Sequence, residues 1–541
     1  MKRMSVLFAV LLILALLVSC APKPETTPTP VPTPTPEQPK YGGILHYWAS
    51  RNPAGFDLHA IPSWGPLPCQ LVFNNMVSFD PKKGELVPEN LIGDLAERWE
   101  ITPDGKTFTF FLNRGVKWHD GNPFTADDVV YSMEKMVDPK RSRIGKYFPS
   151  FGSVEKVDDY TVKMHLKTPS PSFLSQLAGA YAVIQAKHLA GTDGKSTDFL
   201  VGTGPYKFKS YTEPVIFETV RNPDYFKEGL PYVDGITINF ITELSTQVDT
   251  LLTKRVDMTS PGVGFRSKEQ TDRVAQEAPE VKIQFVSYPY AFAYKVNMNY
   301  EPLKDPRVRR ALSLLADPQN LTVASTGGLE FGWTERVLFP SQWELPKDEA
   351  WKIMRWDKPF EERVTEAKKL MAEAGYADGF KLRIVSANSV DFERTHIAYA
   401  DVLQRYLNMD VKLDLPLPAI SREKRAAGDF DLYYENFYCL LGDLDEWGDS
   451  FVTGGNANYM SYSNPTVDRL FEEQSQTMDF AKRQALAHEI LRILYTDLPA
   501  IPAGRFNTYA MAWQPYVKGF TPGHSGYAVS HIMMEHVWLD K

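Results

Sequence analysis

Three regimes of apolar and polar positions follow one another along the chain. Val6 to Val18 is an unbroken apolar run behind Lys2 and Arg3. It is too short for a bilayer crossing of about twenty residues and has the charge order of a signal peptide. Residues 22–40, PKPETTPTPVPTPTPEQPK, are a Pro/Thr repeat that cannot build a core and prefers extended polyproline II geometry. From Tyr41 onward short strands alternate with helices, and no further apolar run is long enough to span a membrane. The pattern predicts a soluble α/β body. Thr107 to Leu112 is rich in β-formers, and Val162, Met164 and Leu166 alternate with Thr161, Lys163 and His165 as in a half-buried strand. Thr125 and Asp128 have capping-box spacing ahead of Val129, Met133 and Met136, which share a helical face. Val364, Ala367, Leu370, Met371 and Ala374 form a second stripe, stopped by Gly375. Leu486, Ile490, Ile493 and Leu494 form a third after Asp479.

The end of the apolar leader changes its reading. Leu17-Val18-Ser19-Cys20 places small residues directly before a cysteine and resembles the bacterial lipobox. That resemblance implies lipidation of Cys20, cleavage before it, and anchoring on the extracytoplasmic face of the cell membrane. The Pro/Thr stretch then reads as a tether, reaching roughly 3.1 Å per residue.

Composition narrows the function. At 541 residues with 43% hydrophobic content, the chain has material for two or three cores. Its 59 basic and 67 acidic residues are interspersed, so no basic stripe offers itself to a phosphate backbone and a nucleic-acid partner is not expected. Cys20, Cys69 and Cys439 are too few for a disulfide framework, and once Cys20 is acylated only Cys69 and Cys439 could pair.

Catalytic patterns along the chain fall short. Gly191 to Ser196 ends like a P-loop but has two residues between its glycines where four are needed, and His488-Glu489 meets Arg492 where a zincin needs its second histidine. Gly523-His524-Ser525-Gly526 lacks the spacing of a nucleophile elbow. Asp443, Asp445 and Asp449 suggest a calcium loop, but Trp447 and Gly454 stand at ligand positions. His119-Asp120-Gly121 and Asp104-Gly105 read as turns, and Gly202, Gly204 and Pro205 as a chain reversal. No enzyme, cofactor or metal is expected. A secreted lipoprotein hydrolase is the remote alternative.

Segments spread over the mature chain carry a family resemblance. They are YGGILHYWASRNPAGFDLHA at 41–60, LAERWEITPDGKTFTFFLNRGVKWHDGNPFTADDVVYSMEKM at 95–136, VGTGPYKF at 201–208 and RNPDYF at 221–226. DPRVRRALSLLAD at 305–317, AKKLMAEAGYADGF at 367–380, GDFDL at 428–432 and YSNPTVDRL at 462–470 complete them. In this order they resemble the dipeptide/oligopeptide/nickel solute-binding proteins of ABC transporters, family 5. The resemblance implies an α/β, two-lobed, periplasmic-binding-protein-like clamshell with an inserted extra domain. It maps as signal peptide 1–19, lipidated cysteine and tether 20–40, and lobe I at 41–75, 200–297 and 506–541. Inserted domain II covers 76–199 and lobe III 298–505, with lobe crossings near 289–299 and 501–507.

The implied function is capture of an oligopeptide or dipeptide between lobes, hinge closure, and delivery by a monomeric receptor to ABC permease transmembrane subunits. An oligosaccharide is the alternative ligand, with a nickel chelate, an opine or another small solute behind it. Trp64, Phe292, Tyr294, Trp333, Phe437, Tyr438 and Trp447 fall in or near cleft-facing segments of the family, and aromatic walls suit peptide side chains and sugar faces alike. Asp443 matches the aspartate that binds a peptide's α-ammonium in relatives, although it lies about three positions beyond the family's spacing from Phe430. Either the loop carries an insertion and Asp443 keeps that role, or the anchor is gone and the ligand is not a free-amino peptide. On the first reading, Asp443→Asn weakens peptide binding and leaves stability nearly unchanged.

Overall fold

In the computed structural model, residues 38–61, 67–83, 86–332, 336–338, 342–438, 442–523 and 530–541 are described. Local sequence rules explain many of their elements. Thr125 caps the helix Ala126–Val137 with the reciprocal Asp128 contact of a capping box, and Val129, Met133 and Met136 are buried. Strand Thr161–Leu166 buries Val162, Met164 and Leu166, and Gly105 takes φ +66° in the turn joining the antiparallel strands Ala96–Ile101 and Thr107–Leu112.

Three main sheets organise residues 40–541, which form one unit. The first has the order Ile44–Ala49, Gly235–Phe240, Ile216–Arg221, Tyr206–Thr212; its opening pair is parallel and the others antiparallel. The second is antiparallel: Ala96–Ile101, Thr107–Leu112, Thr161–Leu166, Phe151–Asp158. The third runs Asp410–Asp414, Lys381–Val385, Leu432–Tyr438, Lys282–Val296, Ala500–Trp513.

Each region has its own core. One gathers residues of 45–73, 183–290 and 509–539; a second lies within 76–186. A third and a fourth lie on the two faces of the third sheet. Ala291, Ala293 and Phe437 point into one, and Phe292, Tyr294, Leu432 and Tyr434 into the other. This sheet is therefore buried on both faces, as βαβ-type layering requires.

Several segments that carry the family resemblance are joints between these cores. At Gly202 and Gly204 an added Cβ would stand 1.8 and 2.5 Å from the Val72 carbonyl group, so only glycine lets the backbones approach there. His119 docks on the same reversal: its ring meets the Gly204 carbonyl at 3.0 Å, and its backbone N–H donates to the Gly202 carbonyl. Burial pushes its imidazole down to about 4, which suits a neutral structural ring. Lys135 donates to both Asp57 and Gln185 at 2.7 Å, tying the second core to the first. Lys227 sits between Asp94 and Glu535, 3.1 Å from each, while Tyr225 donates to Glu535 at 2.7 Å.

Candidate ligand site beside the crossing strands

The strands Lys282–Val296 and Ala500–Trp513 run antiparallel from the first core into the third sheet. Along the first, Tyr288 and Tyr290 belong to the first core, and Ala291 and Phe292 to the third and fourth. The pairing register shifts between Ser287 and Ala291 and again between Ala291 and Ala293. An irregular ladder bends locally more easily than a regular one, and this irregularity falls where the chain passes from one core to the next.

The sequence-derived candidates take several fates. Trp64 and Trp333 lie outside the described residues, as does the side chain of Tyr438, although its backbone ends the strand Leu432–Tyr438. Phe292 stacks on Tyr434 at 5.4 Å and meets Phe392 edge-on at 5.4 Å, and Tyr294 packs against Tyr399 at 4.7 Å, both within the fourth core. Phe437 lies 5.1 Å from Trp447 and 5.2 Å from Phe451 in the third core. These four rings are packing residues of the distal lobe. The two-sided burial of the sheet places alternate side chains into one core or the other.

Asp443 is likewise engaged within the fold. It is not a free carboxylate: Arg483 reaches it with two parallel hydrogen bonds of 2.8 and 2.6 Å, and the backbone N–H of Asp445 donates to it at 2.9 Å. Arg483 also donates through Nε to Gln474 at 2.9 Å, lies 4.7 Å over the Trp343 ring, and approaches Asp445 at 3.3 Å. Bidentate pairing of this kind is strong and geometrically exacting. The side chains of Arg483 and Asp443 are only 2% and 5% exposed. A ligand ammonium would have to displace a guanidinium that has no access to water. Asp445 takes donors from Gln474 and Ser172, each at 2.6 Å. Burial, reinforced by Asp443, holds its carboxyl above the usual range.

Arg483, Gln474 and Ser172 were missed from the sequence. Arg483 had a signal: on the helix Phe480–Asp497 it shares a buried face with Ala487, Ile490 and Leu494, and a cation in an apolar stripe demands a buried partner. Ser172 had none. A second buried ion cluster joins Lys295 to Glu435 at 2.9 Å and Arg425 to the same carboxylate. Cys69 is a buried free thiol, and Cys439 lies outside the described residues. Among the described residues no three His, Cys, Asp or Glu side chains converge on a metal position, and no helix is long and apolar enough to cross a membrane.

Known proteins resemble this architecture along most of its length. The glutathione-binding protein GsiB of Pectobacterium atrosepticum is 28% identical over 76% of this chain and 79% of its own. The periplasmic oligopeptide-binding protein OppA of Haemophilus influenzae is 27% identical over 87% of this chain and 94% of its own. Among solved structures, the ABC transporter substrate-binding protein CtaP of Listeria monocytogenes superposes with a TM-score of 0.79 at 22% identity, covering 93% of this chain and 100% of that one. Residues 90–459 match the profile of the bacterial extracellular solute-binding proteins, family 5, middle region. With two separately cored lobes joined by crossing strands and more than half its length matched, the chain belongs to family 5 of the bacterial extracellular solute-binding proteins.

Proposed function

We propose that this protein captures a peptide between its lobes and hands it to an ABC permease. The observation that carries the reading is the pair of strands, irregular in register at the crossing, that join separately packed lobes. Ligand seated at such a joint contacts both lobes only when they close, so it stabilises the closed arrangement. The peptide class is supported by two relatives, one named for binding oligopeptides and matched over 87% of this chain, the other named for binding glutathione, itself a tripeptide, and matched over 76%. The core packing of Phe292, Tyr294, Phe437 and Trp447 bears equally on a peptide and on an oligosaccharide, and with Asp443 engaged by Arg483 the peptide's anchor lies elsewhere.

Native mass spectrometry of protein purified without denaturation tests the ligand. The expected result is a bound mass that fragments as a peptide. A synthetic peptide of that sequence should then stabilise the protein by about 2.7 kcal/mol at one hundred times its dissociation constant. A bound oligosaccharide, or a peptide pool that leaves the melting temperature unmoved, overturns the peptide reading.

The membrane attachment is part of the same proposal. Cys20, outside the described residues, carries the lipid, and the Pro/Thr stretch holds the body away from the bilayer. Cys20→Ser is expected to abolish incorporation of labelled fatty acid. Retained label on that variant would refute the anchor.

A further inference from the structure

The second core and the distal lobe meet at a seam away from the crossing strands. Gly442, at φ +68°, presses against the chain at Leu86, where an added Cβ would stand 2.4 Å from the carbonyl oxygen. The indole N–H of Trp343 donates to the Gly442 carbonyl at 2.8 Å and fixes the distal side of this contact. At Gly105 an added Cβ would stand 3.0 Å from the Met478 sulfur. A further contact joins the same two regions at Ser172, 1% exposed, whose hydroxyl donates to Asp445 at 2.6 Å across 273 residues of sequence.

We propose that Ser172 and Asp445 form a closure latch, through which the segment 76–186 holds the distal lobe against it before any ligand binds. This device rests on the two-lobed fold and adds to the proposed function a contribution from the segment 76–186.

Its acceptor is rigidly prepared. Asp445 is fixed by Gln474 and by the Arg483 guanidinium, which Asp443 in turn clamps from the other side. Two carboxylates share one guanidinium, so Asp445 retains acceptor capacity that an outside donor can satisfy. On the other side, Ser172 is held by Gln176, which donates to its oxygen at 3.0 Å, and it lies 3.2 Å from the Ser170 hydroxyl. Both partners are thus oriented by their own regions, and the bond between them costs little side-chain entropy when the seam closes. When the lobes separate, water replaces Ser172 at Asp445, so the latch is weak enough to release and specific enough to bias the equilibrium.

Ligand-free wild type, Ser172→Ala and Ser172→Asp proteins, verified empty by native mass spectrometry, are compared by small-angle scattering and hydrogen exchange. Loss of a hydrogen bond to a charged acceptor is expected to raise exchange about tenfold in both 442–447 and 170–177 and to increase the radius of gyration. Ser172→Asp should open the seam further, because it sets a third carboxylate against Asp445 and Asp443. Unchanged exchange and scattering in Ser172→Ala overturns the latch, as does faster exchange confined to 170–177. Should Ser172→Asp not fold, the alanine variant alone decides. None of these measurements uses a ligand, so the latch and the peptide reading can fail independently.

Discussion

Replacing Arg483 with methionine is expected to be among the most damaging single changes to this protein, costing roughly 3–5 kcal/mol of stability. The side chain fills similar space but leaves Asp443 and Asp445 facing each other without a cation, the first almost completely buried. Denaturant midpoints read the loss. Its pH dependence is diagnostic because Asp445 already has a raised pKa. A carboxyl whose folded pKa exceeds its unfolded value stabilises the fold at low pH, and this contribution is lost as pH rises through the folded value. Arg483→Met should therefore recover part of its deficit between neutral pH and the unfolded carboxylate range near 4. Asp443→Asn should also destabilise, by about 1–3 kcal/mol, since it breaks one charged pair but leaves Asp445 beside the guanidinium. An Asp443→Asn protein as stable as wild type, with peptide affinity reduced tenfold or more, would instead restore Asp443 as a ligand anchor.

Lys227→Met is expected to cost a comparable amount, roughly 3–5 kcal/mol, for the same physical reason at a different joint. Lys227 is the cation between Asp94 and Glu535, whose carboxylates are 0% and 2% exposed. Tyr225 and Asn74 also bond within this cluster. Removing the ammonium strands two acids that have no water to turn to. Glu535 ends the helix Ser530–Glu535, so the C-terminal segment should loosen first, and limited proteolysis should cut the variant within 517–541 before the rest of the body. Cleavage at wild-type rates with an unmoved denaturant midpoint would show that the cluster contributes no net stability.

Both predictions concern residues whose importance was hard to read along the chain. The segment RNPDYF was recognisable as a family feature, and the structure makes it a joint: Asn222 donates to the Gly204 carbonyl at 3.0 Å and Tyr225 reaches Glu535. VGTGPY likewise closes the backbone approach to Val72. Asp305 and Asn464, in two more of these segments, cap the helices Pro306–Leu315 and Pro465–Gln476. The resemblance therefore announced the architecture through its joints and caps, and such residues say little about what the cleft holds.

What the sequence determined by itself was local. Period-two alternation placed the strand Thr161–Leu166, the Thr125–Asp128 pair started the helix Ala126–Val137, and apolar stripes gave the helices Phe360–Glu373 and Phe480–Asp497. These follow from backbone geometry and nearest-neighbour hydrogen bonds, which involve residues a few positions apart. Tertiary structure decided the fate of the aromatic and charged side chains. A sheet covered on both faces has no solvent-facing side, so alternation cannot tell Phe292 in one core from Phe437 in the other, or either from a cleft wall. Asp443 finds its partner 40 residues away and Ser172 finds its own 273 residues away. Which carboxylate is consumed by the fold, and which contact crosses between regions, depends on how helices and lobes pack, and packing brings together residues that no local pattern along the chain relates.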